Sequence, residues 1–294
     1  MILELEKFHA FELAGWESIP DGYHQAFGSL TTQAIGPLLD AVRVKKGMKL
    51  LDIASGPGYV AAAAAKRGAI PLGVDFSKGM VDQAHLLYPD LDFREGDAEE
   101  LPLGNGLFEA AVMNFGILHL ARPEQAITEA HRVLRPGGRF AFSVWAKPEE
   151  TIGFGIVLRA VEAHGEPRIE LPEGPPFFRY SDAEECRQSL LLAGFTAPTV
   201  TKVAQVWRLP AGDGLFNAMK DSTVRTAGLL RAQKPTVSGK IRDAMRAELA
   251  KYTKGDVVEL RRYARGASEV HERRCRRAAD AGADRLGGKA VAGC

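Results

Sequence analysis

Between residues 49 and 145 the chain alternates short apolar runs with longer segments in which apolar residues recur at helical spacing. The runs predict strands, and the segments between them predict helices. The predicted strands are residues 50–54, 70–74, 92–95, 110–114 and 139–145, and the predicted helices are residues 59–67, 78–87 and 123–134. Strands that alternate with helices form a parallel sheet covered on both faces, so the predicted fold class is α/β with a doubly wound sheet.

The segments before and after these alternating strands and helices lack the alternation. Residues 1–46 predict an N-terminal helical cap, and residues 47–148 are the core that would hold a cofactor. Residues 149–260 predict a helical lid together with the last strands of the sheet, because helices inserted late in an α/β domain most simply cover its ligand edge. Residues 261–294 are rich in arginine, alanine and glycine, so we expect a poorly ordered tail and only a short strand before it.

Size, charge and cysteine content narrow the class of protein. The 294 residues, 46% of them hydrophobic, suit one large domain with a lid, either a monomer or a homodimer. A net charge of +1 gives no field that would recruit nucleic acid or a membrane surface, so we expect a small-molecule partner. The three cysteines have neither metal-ligand spacing nor an even number, and no apolar run approaches the roughly 18 residues of a membrane span. These features predict a cytoplasmic protein without a metal site.

A glycine-containing turn follows the first predicted strand. Gly56 and Gly58 lie between this strand and an alanine-rich helix, where glycine permits a sharp turn and a close approach of backbone to a ligand. Asp75 ends the second predicted strand, roughly 20 residues later, at a position suited to the hydroxyl groups of a ribose. The sequence therefore predicts a site for an adenosine derivative.

Asp52, just before the glycines, bears on which derivative binds. A carboxylate there would repel the pyrophosphate of a dinucleotide, whereas S-adenosyl-L-methionine has an ammonium and a sulfonium and no phosphate. The spacing of Gly56, Gly58 and Ala61 still fits a dinucleotide pattern with alanine in third place. An NAD(P)-dependent oxidoreductase therefore stays an alternative, as does a binding module without catalysis.

From residue 47 to 148 the chain resembles the class I S-adenosylmethionine-dependent methyltransferases, especially the small-molecule branch related to ubiquinone and menaquinone biosynthesis. Six blocks agree in order, namely residues 50–58 (LLDIASGPG), 73–77 (GVDFS), 95–102 (EGDAEELP), 108–112 (FEAAV), 114–119 (NFGILH) and 132–138 (RVLRPGG). The resemblance implies a Rossmann-like, seven-stranded sheet with an antiparallel last strand. It also implies in-line methyl transfer to an O, N or C atom of a small hydrophobic molecule, with S-adenosyl-L-homocysteine as product.

The resemblance implies a role for each cofactor-binding residue. Asp52 would lie near the methionine ammonium, Asp75 would hold the ribose, and Asn114 would border the sulfonium. The other implied contacts are Ala54, Gly56 and Gly58 along the methionyl chain, Phe76 or Met80 on the purine face, Asp97 and the Ala98 N–H at the adenine edge, and Tyr23 from the cap. A structural role stays open for three of the acids, with Asp52 as a buried acid, Asp75 as a helix cap and Asp97 as a turn residue.

His119 is the candidate catalytic residue. The resemblance puts it on the acceptor side, and an imidazole that titrates near neutrality can serve as a general base if the acceptor is a hydroxyl. His24 is the second candidate, and an alternative for His119 is a histidine that only packs or caps. Aromatic residues of the predicted lid, including Phe154 and Phe177, either contact the acceptor or form the core of the lid.

Overall fold

The computed structural model describes residues 2–166 and 169–270. Within these residues the strands are β1 (Lys49–Ile53), β2 (Ile70–Asp75), β3 (Asp92–Glu95), β4 (Phe108–Asn114), β5 (Leu134–Trp145), β6 (Thr196–Pro210), β7 (Thr253–Lys254) and β8 (Val257–Val270). The α-helices are α1 (Ile2–Glu17), α2 (Pro20–Thr31), α3 (Ile35–Ala41), α4 (Tyr59–Lys66), α5 (Lys78–Leu87), α6 (Pro123–Val133), α7 (Ile152–His164), α8 (Ala183–Leu192), α9 (Gly214–Asp221), α10 (Arg225–Arg231) and α11 (Pro235–Leu249).

The strands form one sheet in the order β3-β2-β1-β4-β5-β8-β6, with the short β7 paired to β8. Strands β1 to β5 are mutually parallel, and β8 lies antiparallel between β5 and β6. The order reverses at β1, which is the switch point where a doubly wound sheet opens a crevice at the carboxyl ends of its strands. The predicted Rossmann-like sheet with an antiparallel last strand is confirmed.

The apolar runs form strands because both faces of the sheet are buried. Leu51 and Ile53 of β1 belong to the large core beneath α6, α7 and α8, whereas Leu50 belongs to a second cluster beneath α3 and α4. Alternate residues of β4 divide in the same way, with Ala111 on one side and Val112 on the other. A strand buried on both faces is therefore continuously apolar, which made these runs recognisable in the sequence.

The expected disorder from residue 261 is wrong for residues 261–270. β8 continues through Val270 and pairs with both neighbours, so that Ala264 lies opposite Trp145 of β5 and opposite Val203 of β6. The arginines of this segment do not end the strand, because Arg261 is exposed and Arg262 is buried among aromatic rings. The rest of the predicted tail, including Cys275 and Cys294, lies outside the described residues.

Helices from both ends of the chain cover the carboxyl edge of the sheet. α1 packs on α5, and α2 packs on α5, α9 and β6. α9 and α10 follow β6 and pack together, so the cap and the lid approach the crevice from two sides. Across the described part of the chain, no helix has the length and hydrophobicity needed to cross a membrane.

Candidate functional site

A cleft of about 750 Å³ lies at the carboxyl ends of β1, β2 and β4. Eleven of the twelve predicted site residues line it: Tyr23, Asp52, Ala54, Gly56, Asp75, Phe76, Met80, Asp97, Ala98, Asn114 and His119. The twelfth, Gly58, is the residue before α4 and does not line the cleft. The fold therefore brings together residues from four of the six blocks, together with Tyr23 of α2 and Met80 of α5.

The loop after β1 bends tightly. Ala54, Gly56 and Gly58 have φ angles of 53°, 50° and 81°. A Cβ atom at Gly58 would lie 2.5 Å from the ring of Phe93, so a larger residue does not fit there. Ala54 holds a left-handed conformation that costs a non-glycine residue on the order of 1 kcal/mol, and such strain is typical of functional sites.

Asp52 is completely buried and faces both the loop and the cleft. Its Oδ2 accepts a hydrogen bond of 3.0 Å from the backbone N–H of Ala61 in the first turn of α4. Its Oδ1 has no hydrogen-bond partner among the described residues, and burial raises the pKa of the carboxyl well above its ordinary value. A cationic group in the cleft would satisfy this oxygen and favour the ionised form. The carboxylate also occupies a helix N-terminus where a phosphate would otherwise bind.

Asp75 joins the glycine loop to the start of α5. Its two oxygens accept hydrogen bonds from the backbone N–H groups of Gly56 at 2.8 Å and Ser77 at 3.0 Å. Ser77 is the helix cap, because its side chain accepts from Met80 N. A carboxylate has further lone pairs, so Asp75 can still accept hydrogen bonds from a diol. Burial raises its pKa from 3.8 to about 6.

Asp97 and Phe76 form the far end of the cleft. Asp97 Oδ1 accepts from Glu99 N at 2.8 Å, so the turn role is present, while Oδ2 lies 3.6 Å from Nε2 of His9. The His9 ring also meets Phe76 edge to face, with ring centroids 5.7 Å apart. Helix α1 therefore approaches this end of the cleft through His9, which the sequence analysis did not single out.

Asn114 is fixed at the tip of β4. Its Nδ2 donates to Thr31 O at 3.2 Å, and its Oδ1 accepts from the Ser143 hydroxyl at 2.7 Å. The next residue, Phe115, has a φ of 58° and stacks on Trp145 with ring centroids 3.7 Å apart. Phe115 lines both the cleft and a neighbouring space, whereas Trp145 lines only the neighbouring space.

That neighbouring space is a second cavity of about 410 Å³, which we call the aromatic cavity. It is lined by Trp16, Tyr23, Phe27, Phe115, His119, Trp145, Phe154, Phe177, Thr223, Val224, Arg225 and Thr226. Trp16, Tyr23, Phe115 and His119 also line the first cleft, so the two spaces are adjacent. Of the predicted lid aromatics, Phe154 and Phe177 face this cavity, whereas Trp207 is buried and its Nε1 donates to Ala26 O.

His119 ends a short 3₁₀ helix after β4 and lies between the two spaces. Its Nδ1 is 3.0 Å from Oε2 of Glu12, and the same oxygen accepts from Trp16 Nε1 at 3.1 Å. Glu12 is fully buried. A carboxylate at Nδ1 holds the proton on that nitrogen, which leaves Nε2 as the basic atom. His24 instead contacts the Tyr59 hydroxyl, 2.6 Å from its Nδ1.

Two arginines adjoin the aromatic cavity. Arg225, the first residue of α10, packs over the rings of Phe8 and Phe177 at 5.1 and 5.4 Å, and its Nε is 4.0 Å from Glu12 Oε1. Arg262 of β8 lies behind the cavity wall, 4.0 Å from the centre of the Trp145 ring. Arg262 is 2% exposed, and its three side-chain nitrogens have no hydrogen-bond partner among the described residues.

Sequence reasoning missed Glu12, Phe115, Arg225 and Arg262. Glu12 lies in a helix with several acids, and only its contact with His119, which lies 107 positions further on, distinguishes it. The available signal for Arg262 was its place in an alternating pattern: Val258, Leu260, Arg262 and Ala264 are all buried. A search of the described residues finds no group of three or more His, Cys, Asp or Glu residues that could hold a metal.

Part of the chain matches a known domain family. Residues 51–142 match the family model described as a methyltransferase domain. A demethylmenaquinone methyltransferase from Paenarthrobacter aurescens is 37% identical over 111 residues, which cover 38% of this chain and 44% of that protein. The chain spans about half the length of the curated relatives of this name that it matches.

Solved structures share the fold at lower identity. An S-adenosylmethionine-dependent methyltransferase from Thermotoga maritima has a TM-score of 0.52 at 18% identity, covering 89% of this chain and all of that one. A phosphoethanolamine N-methyltransferase from Haemonchus contortus, solved with S-adenosylhomocysteine, has a TM-score of 0.53 at 17% identity, covering 86% of this chain and 57% of that one. Residues 51–142 are thus similar to a methyltransferase domain, and the fold of the chain is that of these solved methyltransferases.

Proposed function

We propose that this protein transfers a methyl group from S-adenosylmethionine to a small, hydrophobic acceptor held in the aromatic cavity. The observation that carries the proposal is Asp52, a buried carboxylate at the glycine loop with one oxygen on the α4 N-terminus and the other without a partner. That arrangement suits the ammonium of S-adenosylmethionine and disfavours a pyrophosphate.

The other residues of the cleft fit the same cofactor. Asp75 would accept hydrogen bonds from the ribose hydroxyls, and Phe76 and Met80 would pack on the purine. Asp97 and the Ala98 N–H would meet the adenine edge. Gly56 and Ala54 would allow the methionyl chain to pass close to the backbone, while Gly58 supports the loop. Tyr23 and Asn114 would border the sulfonium.

The cofactor supplies an electrophilic methyl group, and the protein supplies position and a proton acceptor. Alignment of donor and acceptor provides much of the rate in such a displacement. His119, held by Glu12 with Nε2 free to act as a base, would take the proton of an acidic acceptor. The Tyr23 phenol does not compete for this role, because burial raises its pKa to about 12.

Two calorimetric titrations, one with S-adenosylhomocysteine and one with NADH, test the cofactor assignment. We expect saturable binding of S-adenosylhomocysteine, an increase in the midpoint of thermal unfolding on binding, and no binding of NADH. Binding of NADH alone would overturn the proposal in favour of an oxidoreductase. Binding of S-adenosylhomocysteine without turnover on a broad panel of phenols, amines and carbon acids would instead favour a non-catalytic module.

The remaining expectations extend this proposal. A monomer or homodimer in the cytoplasm, acting on a small molecule without nucleic acid or membrane partners, fits the balanced charge of the chain. Sedimentation of the purified protein with and without S-adenosylhomocysteine would measure its oligomeric state.

A further inference from the structure

The aromatic cavity is lined mainly by aromatic rings and has one cationic side chain in its lining. Phe27, Trp145, Phe154 and Phe177 supply ring faces and edges to this cavity. Such walls suit a planar ring system, because aromatic rings pack favourably face to edge or offset. The lining residues include Arg225 and, among the described residues, no carboxylate.

Arg225 has donors left for a ligand. Its hydrogen bonds to protein, with Pro175 O at 3.0 Å and Leu118 O at 3.4 Å, are both made by Nη1. Its contact with Glu12 is a 4.0 Å approach of Nε, longer than a hydrogen bond. Within the described part of the chain, Nη2 makes no hydrogen bond, and the guanidinium is held in place by the rings of Phe8 and Phe177.

The surroundings of the cavity are electropositive. Glu12 is the carboxylate nearest to Arg225: its Oε1 lies 4.0 Å from Arg225 Nε and has no hydrogen-bond partner among the described residues, while its Oε2 accepts from Trp16 and lies against His119. Arg262 adds a second guanidinium behind Trp145 and Phe154 without a hydrogen-bonded counter-ion among the described residues. The two guanidinium groups outnumber the one carboxylate, which lies near Arg225 only, and this excess of positive charge favours an anionic ligand over a neutral one of the same shape.

From this geometry we infer that the acceptor is a planar aromatic carboxylate, with its rings between the aromatic walls and its carboxylate on Arg225. The inference rests on the proposed function, because it assigns the acceptor side of the same site. Arg225 and His119 both adjoin Glu12, so an acceptor anchored on Arg225 lies beside the base and the shared wall of the two cavities. Arginine is suited to this task, because its planar fork binds a carboxylate through two parallel hydrogen bonds.

The test compares two probes of one shape, 2-naphthoate and 2-naphthamide, by calorimetry on the protein saturated with S-adenosylhomocysteine. We expect the wild type to bind the carboxylate at least tenfold more tightly than the amide. Arg225→Gln should bring this ratio close to one, and Arg225→Lys should keep most of it. Because both probes share one binding site, a general disturbance of the fold weakens both and leaves the ratio unchanged.

Arg231→Gln is the matched control, since Arg231 lies on the same helix and its partner is Asp221, 3.9 Å away on α9. It should leave the ratio at the wild-type value. Equal affinities of the two probes in the wild type, or no binding of either, would overturn the inference, as would a preference that survives in Arg225→Gln. Failure of S-adenosylhomocysteine to bind in the first place would instead count against the proposed function, so the two failures are distinguishable.

Discussion

The Nδ1 atom of His119 lies 3.0 Å from Oε2 of Glu12, although the two residues come from opposite sides of the cleft. His119 follows β4 in the sheet, whereas Glu12 belongs to the first helix. The helical cap therefore contacts the candidate base as well as covering the cleft. The orientation of the imidazole depends on α1 staying in place.

Replacement of Glu12 by glutamine should lower turnover without weakening cofactor binding. The amide no longer stabilises the imidazolium that forms when His119 takes a proton, and a general base contributes about 10²- to 10⁴-fold to a rate. We expect kcat to fall about 10- to 100-fold with an acidic acceptor, measured by S-adenosylhomocysteine formation. The affinity for S-adenosylhomocysteine should stay unchanged in calorimetry.

The control for this variant is Glu6→Gln, an exposed acid on the same helix. Glu6→Gln should leave both kcat and the affinity for S-adenosylhomocysteine at the wild-type level. Equal kcat values for Glu12→Gln and the wild type across the pH range would show that His119 acts without the carboxylate or does not act as a base.

Asp75→Asn should nearly abolish binding of S-adenosylhomocysteine. The amide would lose the charge-assisted hydrogen bonds to the ribose. In addition, its NH₂ group would face the backbone N–H of Gly56 or Ser77, each of which now donates to Asp75. Hydrogen bonds to a charged group contribute about 1.5–3 kcal/mol each, so the loss of affinity should be about a hundredfold or more. Asp82→Asn, exposed on α5 and paired with Lys78, is the control, and unchanged affinity in Asp75→Asn would refute the ribose assignment.

The free energy of unfolding without cofactor should fall as the pH rises from about 4 to above 6. Burial raises the folded pKa of Asp75 from 3.8 to about 6, so in this range the folded state binds more protons than the unfolded state. Stability decreases with pH wherever the folded state holds the extra proton, by up to about 3 kcal/mol for a shift of this size. Urea titrations at several pH values should show the decrease in the wild type and a smaller one in Asp75→Asn. A rise in stability over the same range would contradict the assignment.

Gly58→Ala should destabilise the fold by about 2–4 kcal/mol. The new Cβ would lie 2.5 Å from the Phe93 ring at a φ of 81°, which adds overpacking to backbone strain. Gly212→Ala separates the two effects, because its φ is 73° and no described atom lies within 4 Å of the added Cβ. Urea denaturation should therefore show a loss of only about 1 kcal/mol for Gly212→Ala. If Gly58→Ala and Gly212→Ala lowered the free energy of unfolding equally, the contact with Phe93 would be unimportant.

Arg262→Met should raise the free energy of unfolding by about 1–2 kcal/mol. Removal of a buried charge by an apolar residue of similar length is often stabilising, and burial lowers the pKa of this guanidinium without a carboxylate to offset it. Arg261→Met, at the exposed neighbouring position, should change stability little. A clear loss in Arg262→Met would show that the contacts with Trp145, Phe154 and Trp207 outweigh the cost of burying the charge.

The strands that carry the cofactor residues were predictable because burial on both faces makes them apolar throughout. The five strands of the core were placed to within a few residues, and the carboxyl ends of β1, β2 and β4 then brought Asp52, Asp75 and Asn114 to one edge. The roles of these residues stay predictions. Local sequence was sufficient here because the loop and the two strands next to it lie close together along the chain.

The acceptor side was not predictable in the same way. Glu12, His119 and Arg225 come from three distant segments, and only His119, in the block 114–119, stood out in the sequence. Arg262 was misread because an arginine in an apolar slot of an alternating strand looks like the end of that strand. Only the pairing of β8 with β5 and β6 shows that its side chain lies among aromatic rings.

The late position of β8 in the chain has a consequence for biosynthesis. Because β8 lies between β5 and β6, the backbone edges of both older strands stay open until the ribosome has released residues 257–270. A nascent chain that stalls before this point would present two unpaired edges, which are sites for intermolecular pairing. Truncation before residue 257 should accordingly give aggregates rather than a smaller folded enzyme.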